Sequence, residues 1–588
     1  MSSSLAPASE LADPRRSKEV DETINREIRT EPSALRVEYQ HNPDITFEEY
    51  LYYANETREY EKTLSTKGHG LSSIRTVFSR DKKPKAEEST QTQEGQARPG
   101  GTGGPDATAG VFDVVSDEEW HQASRAARTA TWGSVFYLIT TDILGPYSVP
   151  WAFTRLGYGP GITLYFIFAV MATYSGYLLW QQFVHLDSDR YPVKNYGDLA
   201  FRIYGSWFRY IVNILQSCQF FLNVTLLIVS HGQSISQLSQ PSDDDKPLCF
   251  TACLIIFAAA GFILGQIRSL QNLGYVANLA VWMNVFIIIM TMGITSNSSP
   301  NYKAVYASYG IEKGPIKTSA GVPDGLNLRD NINGLMQAVY SYGGATLFCE
   351  LMAEMRRPWD FWKGMIIANV FIFIVYIVFG LVVYSEQGQF AFNPAYQGIN
   401  PYAWQTVANA FSLVSGLIAA CLYGNIGIKV LYANIGRPLL HLPALETRNG
   451  RWIWVAFVPL YWGLAFIIAA AVPQVSYLSS FVGAAMILQF SYTFPAFLAL
   501  GFNCLKGSLV EGDGFDPTTG RVVRSDTGVK RWVRGFKKQL LLNSFNTVYF
   551  LGSIVTAVLG IYSSIHSMHR QYTTGGSVES FSCNSPTG

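Results

Sequence analysis

One acid and two helix breakers sit where an apolar chain has least use for them. Thr140-Thr141-Asp142-Ile143-Leu144-Gly145-Pro146 places a carboxylate, then a glycine and a proline, near the middle of a hydrophobic run over 131–153. Asp at the centre of a membrane helix costs about 2.5–3.5 kcal/mol on insertion scales. An interior proline removes one backbone hydrogen bond and crowds another. A helix that only anchors a protein has no use for either. Both are tolerated where irregular backbone lines a protein-enclosed cavity, which reads as a membrane transport site. A second interruption, Tyr340-Ser341-Tyr342-Gly343-Gly344-Ala345-Thr346, falls in the run over 332–355. Each interior glycine costs a helix about 1 kcal/mol relative to alanine. Close helix packing by small residues is the alternative for Gly343-Gly344. Paired with Asp142 and Gly145-Pro146, these glycines instead fit the broken helices of carriers that hold substrate at the bilayer midplane.

Such a site suits a zwitterion. Backbone N–H groups at the start of a half-helix favour a carboxylate, and carbonyls at the end of the other half favour an ammonium or a coupling cation. The expected substrate contacts are therefore Thr141, Ile143, Leu144 and Gly145 at the first break, and Tyr340, Tyr342, Gly343 and Gly344 at the second. Gln219 and Asn223 in the third run and Asn409 and Ser412 in the eighth add polar groups, with interhelical hydrogen bonding as their alternative role. Asp142 and Glu350 are the acids nearest mid-membrane. An acid that takes a proton on one side and releases it on the other is the simplest coupling device, so either is a candidate; fixing helix ends is the competing role. No metal site or cofactor is expected.

The elements that must hold these residues are membrane helices. A window of about 19 residues finds eleven apolar runs: 131–153, 161–183, 207–235, 248–266, 273–296, 332–355, 364–384, 404–432, 452–472, 477–502 and 544–567. Their lengths suit a hydrocarbon core of about 30 Å. With the N-terminus inside, eighteen Lys and Arg fall in cytosolic connections against seven outside, so positive-inside bias places the N-terminus in the cytosol and the C-terminus outside or in a lumen. The two broken runs lie five spans apart. Five is odd, so 131–296 and 332–502 form two repeats of opposite topology, followed by a basic cytosolic loop over 503–543, a final helix over 544–567 and an outer tail over 568–588. The expected fold is thus an all-α membrane protein of about eleven transmembrane helices.

Composition agrees. The chain is 48% hydrophobic and 15% charged, well below the roughly 25% charge of soluble domains. A net charge of +1 gives no global field for nucleic acid. Residues 1–115 are polar and read as a disordered cytosolic tail, with Thr46-Phe47-Glu48-Glu49-Tyr50-Leu51-Tyr52-Tyr53-Ala54 as a short amphipathic helix within it, either a transient surface element or a docking one. Residues 116–130 read as an amphipathic juxtamembrane segment opened by Ser116 and Glu119. The first residues lack a basic region followed by an apolar run, so no cleaved signal is expected. Cys249 and Cys583 both fall on the outer side, and their pairing stays open at this stage. Asn297-Ser298-Ser299 is a glycosylation pattern too close to the membrane to be used. The basic run over 530–538 lies against the inner leaflet, through anionic lipid or ordinary positive-inside topology.

Leu144-Gly-Pro-Tyr-Ser-Val-Pro-Trp-Ala-Phe-Thr-Arg-Leu-Gly-Tyr-Gly-Pro-Gly161 resembles the first-span signature of the amino acid/auxin permease family, its fungal and plant members above all. Ser341-Tyr-Gly-Gly-Ala-Thr-Leu-Phe-Cys-Glu-Leu-Met-Ala-Glu-Met-Arg-Arg-Pro358 is similar to its sixth-span motif. The likeness runs from about Trp120 to His569. It implies a LeuT-like fold of the wider APC superfamily, two inverted five-helix repeats plus an eleventh helix, and secondary active transport of amino acids, often with protons. Gly145 and Pro150 match the first-span break and its following proline; Gly343 and Glu350 match the sixth-span motif. The chain departs from the pattern at Leu144-Gly145-Pro146, where Gly-x-Gly is usual, and at Cys349, where some relatives carry proline.

The leading expectation is a proton-coupled symporter importing neutral amino acids by alternating access, in the plasma membrane rather than the vacuolar one. The alternatives are an amino-acid sensor on the same scaffold, a sodium-coupled carrier using neutral oxygens such as Thr140, Thr141 and Ser412, and a vacuolar carrier. An enzyme finds no support: the sequence has no His-Glu-x-x-His and no phosphate-binding glycine loop before a helix.

Overall fold

The computed structural model of the chain describes residues 41–63, 128, 130–240, 248–267, 270–443, 445, 447–573 and 579–587. Ahead of the membrane region lies α1 (Phe47–Thr63). The first apolar run is split into α2 (Trp132–Ile143), one 3-10 turn (Pro146–Ser148) and α3 (Val149–Leu156). Then come α4 (Tyr158–Leu186), the short α5 (Tyr196–Tyr204), α6 (Ser206–Leu238), α7 (Phe250–Gly265) and α8 (Leu270–Thr295). After the short α9 (Tyr302–Tyr309), the sixth run is again split, into α10 (Leu328–Ser341), a 3-10 segment (Gly343–Leu347) and α11 (Phe348–Glu354). The chain continues through α12 (Phe361–Gln387), α13 (Tyr402–Leu431), α14 (Arg437–Leu440) and α15 (Arg448–Ala471). Next, α16 (Val475–Val482) passes through two π-helical turns into α17 (Phe494–Gly507). A hairpin of β1 (Gly514–Asp516) and β2 (Arg521–Val523) precedes α18 (Val529–Lys538) and α19 (Leu540–Thr573).

Among the described residues, seven helical stretches are long and apolar enough to cross a membrane, and two further apolar helices are shorter. The two split runs supply the remaining apolar segments. The chain is a multi-pass, all-helical membrane protein. Local signals explain many of the ends. Thr131 caps α2 by accepting from the Ser134 N–H, and Asn195 caps α5 through the Asp198 N–H. Asn327 and Asp330 form a capping box at the start of α10. Gly157, between α3 and α4, has φ +76, and a Cβ there would lie 1.8 Å from the Gly321 carbonyl oxygen. Only glycine meets both demands. Small residues also bring helices together: a Cβ on Gly261 of α7 would meet the Trp462 ring of α15 at 2.2 Å, so the missing side chain is what seats the indole.

Within 1–115 the structure describes residues 41–63, which hold α1, while the rest of that tail lies outside the described residues, as does most of 116–130. The buried side of α1 presents Phe47, Tyr50, Leu51 and Ala54 to the protein, and its charges are answered by distant partners. Arg58 donates to Asp187 at 2.7 Å, and Glu48 accepts from Arg524 at 2.6 Å and from Arg531. Asp187, fully buried, also receives Arg128 at 2.8 Å. Burial alone would raise the Asp187 carboxyl, but Arg128, Arg58 and the Val193 N–H outweigh it and hold it well below the usual carboxylate range. A helix with so little apolar surface docks only because these pairs satisfy its buried charges.

At the opposite end, Cys249 and Cys583 form a disulfide. It fixes the end of the chain near α7, where the Phe250 N–H bonds the Cys583 carbonyl at 3.0 Å.

Candidate functional site

Helix α2 ends at Ile143, with the Leu144 N–H closing on the Thr140 carbonyl at 2.9 Å. Leu144 and Gly145 are extended, and Pro146 and Pro150 stand in the first turns of the two segments that follow. Both prolines are placed where a missing N–H costs nothing. Helix α10 ends at Ser341, and Gly343 and Gly344 open the 3-10 segment before α11. The two interruptions touch. A Cβ on Gly344 would lie 2.5 Å from Ile143 Cδ1, so the glycine is what lets the second break approach the first. Tyr376 of α12 joins them: its hydroxyl donates to the Ile143 carbonyl and, at 3.1 Å, to the Ser341 carbonyl. One buried phenol thus satisfies an orphaned acceptor from each broken helix.

A cavity of about 500 Å³ opens at this junction, within the range of small-molecule sites. Thr141, Asp142, Ile143, Leu144 and Gly145 line it from the first break, and Tyr340, Gly343 and Gly344 from the second. Gln219 and Asn223 of α6 and Ser412 of the adjacent α13 also line it. Asp142 faces the cavity and accepts a hydrogen bond from the Tyr423 hydroxyl at 2.9 Å. It is the only carboxylate in the lining, and no Lys or Arg accompanies it among the described residues. Thr346 donates to the Gln219 side-chain oxygen at 3.0 Å. A Cβ on Gly145 would meet nothing within 4 Å, so this glycine borders open space.

Three of the residues read from sequence stand away from the cavity wall. Asn409 is fully buried and donates to Gln237 at 2.9 Å, so its amide ties α13 to α6 instead of facing a ligand. Tyr342 is packed among Tyr165 and Tyr376, where close ring contacts leave no approach. Glu350 lies beyond the cavity on α11, where one carboxylate oxygen accepts from Gln216 at 3.1 Å and the other has no partner among the described residues. Several functional positions carried no clear signal. Tyr376 and Tyr423 are two of 33 tyrosines, and nothing local marks them. Gln216 precedes Gln219 by three residues and Asn223 by seven, one face of a helix; that spacing could have found it. Asn284, Tyr147 and His231 also line the cavity, and only the rarity of polar groups in apolar runs points to them.

A family model described as transmembrane amino acid transporter protein matches residues 128–506. The chain is similar to a protein of Neurospora crassa named N amino acid transport system protein, 22% identical over 76% of this chain and 87% of the relative. It is similar to a transmembrane transporter of Fusarium pseudograminearum, 22% identical over 78% of this chain and 87% of the relative. Lysine histidine transporter-like 4 of Arabidopsis thaliana is 23% identical over 66% of this chain and 84% of its own length. With two broken helices meeting at a cavity and a family match spanning most of the membrane region, the chain belongs to the transmembrane amino acid transporter family.

Proposed function

We propose that the protein is a proton-coupled symporter that imports neutral amino acids by alternating access. The observation that carries this reading is the meeting of both helix breaks at one cavity, pinned by Tyr376, with Asp142 as the sole carboxylate in its wall. The zwitterion is held by backbone groups of 143–145 and 341–344. The lining has no cation for an acidic side chain to pair with, which favours neutral substrates. Asp142 is the coupling acid, because it faces the substrate, whereas Glu350 stands behind the wall. The chain crosses the membrane eleven times as two inverted five-helix repeats plus α19, a LeuT-like arrangement, with its N-terminus in the cytosol and the plasma membrane as its site. In that orientation Trp151, packed against Tyr477 and Tyr309, closes the outer side, and Leu138, Leu351 and Ile426 extend the cavity toward the cytosol.

Purified protein in proteoliposomes tests this. Imposing an acidic exterior should drive accumulation of a radiolabelled neutral amino acid above its outside concentration, and a protonophore should abolish it. A sodium-coupled carrier would follow a sodium gradient instead. A sensor would bind substrate without accumulating it, and that result would overturn the proposal.

A further inference from the structure

His231 is buried, 4% exposed, yet lines the cavity. Its ring is stacked on Phe257 of α7, with centroids 4.9 Å apart and planes at 27°. On its other side it passes so close to α13 that a Cβ on Gly416 would fall 1.7 Å from Nε2. The ring is therefore held in a slot made by an aromatic plate and a glycine. Packing alone would be served as well by phenylalanine. Its Nδ1 is buried with no partner among the described residues, and Nε2 has none either. Beside Gly416, Ser415 donates to Asn284 of α8 at 3.0 Å. The same Asn284 oxygen receives Tyr147, one residue past Pro146 at the first break, at 3.4 Å. The Asn284 side-chain nitrogen is left without a partner among the described residues. His231 and Asn284 thus contact successive residues of α13 and line the same cavity as both helix breaks. Asn223 continues the polar face two turns down α6, its side-chain oxygen also unpartnered.

A buried polar group without a partner is costly unless a ligand completes it, and an ionisable side chain within a membrane helix is by default functional. An imidazole nitrogen donates or accepts according to its tautomer, and an amide nitrogen donates. The matching side chain carries both a donor and an acceptor and bears no charge. We propose that His231 and Asn284 form a side-chain subsite for a carboxamide, so that the carrier prefers asparagine- or glutamine-type substrates over aliphatic ones of similar size. This rests on the reading of the cavity as an amino acid site.

The test is competition for uptake in proteoliposomes by asparagine and its near-isostere leucine. A site built to hydrogen-bond a polar group discriminates strongly against an analogue lacking it, so the wild type should favour asparagine by about 10-fold or more. His231→Phe keeps a ring for Phe257 and removes both nitrogens; it should bring the ratio within about 2-fold. His231→Gln restores a hydrogen-bonding group and should recover the preference. Asn284→Leu provides an independent loss. If the wild type favours leucine, or if His231→Phe keeps the asparagine preference, the subsite is wrong while the amino acid carrier stands. If neither amino acid is bound or transported, both readings fall. The wild-type ratio decides the matter even if no variant folds.

Discussion

Gly145 and Gly344 are both glycines at helix breaks, and their surroundings separate them. Gly145 has φ −156, an extended value open to any residue, and a Cβ there meets nothing. Gly145→Val should therefore fold with its melting temperature nearly unchanged, yet lose uptake by about 10-fold or more as its side chain enters the cavity. Gly344→Val would drive a side chain into Ile143, so thermal unfolding should show a loss as well. Unfolding and uptake measured on both variants distinguish a ligand-facing glycine from a packing one. Tyr376→Phe removes the one O–H proton that two buried carbonyls share, a loss of about 1–3 kcal/mol, and should lower both stability and uptake, whereas Tyr342→Phe, with no partner for its hydroxyl among the described residues, should lower neither. The breaks were legible because glycine and proline contradict an apolar helix wherever they fall inside one. Tyr376 and Tyr423 were not, because their meaning comes from partners on other helices, and Asn409 misled because an amide paired across helices looks, in sequence, like one waiting for a ligand.

Helix α1 behaves as a docked element through charge. Removing Arg58 leaves Asp187, buried from solvent, with Arg128 as its remaining guanidinium partner. Breaking a buried pair costs about 3–5 kcal/mol, so Arg58→Ala should lower the melting temperature of the purified protein. The pH dependence follows from the direction of the shift. Asp187 is held below the ordinary carboxylate value. Its contribution to stability is complete above the unfolded pKa of about 3.9 and is lost as pH falls below that toward the folded value. Asp187→Asn should reduce stability at neutral pH and flatten the acid limb of the melting curve; an unaltered acid limb would show that the carboxylate is not paired as described. This docking was only half legible. The aromatic positions of 46–54 marked an amphipathic helix, but nothing local tells that Glu48 and Arg58 find their partners at 524, 531 and 187. The multi-pass helical character, by contrast, was plain, because hydropathy needs no partner to be read.

At the scale of the whole molecule, the disulfide and the charge bias give one orientation. Disulfides persist in oxidising compartments, so the Cys249–Cys583 bond predicts a non-cytosolic position for this end of the protein, the side that the Lys and Arg distribution also favours. A membrane-impermeant maleimide applied to intact cells should label Cys249 and Cys583 only after reduction, with a Cys249→Ala/Cys583→Ala double variant as the blank; labelling that requires permeabilised cells would reverse the topology. The segment after Ser580 is bound to the ends of other helices, with the Phe581 N–H donating to the Ala470 carbonyl at 3.0 Å and Ser308 to the Pro586 carbonyl at 2.6 Å, so reduction should also lower the melting temperature. The central claim is that one acid in the cavity wall links the amino acid to a proton gradient. Proteoliposomes carrying Asp142→Asn test it most directly, by comparing exchange of radiolabelled amino acid at equal pH with accumulation driven by an acidic exterior. Exchange should persist and gradient-driven accumulation should vanish; accumulation equal to that of the wild type would show that Asp142 does not carry the coupling.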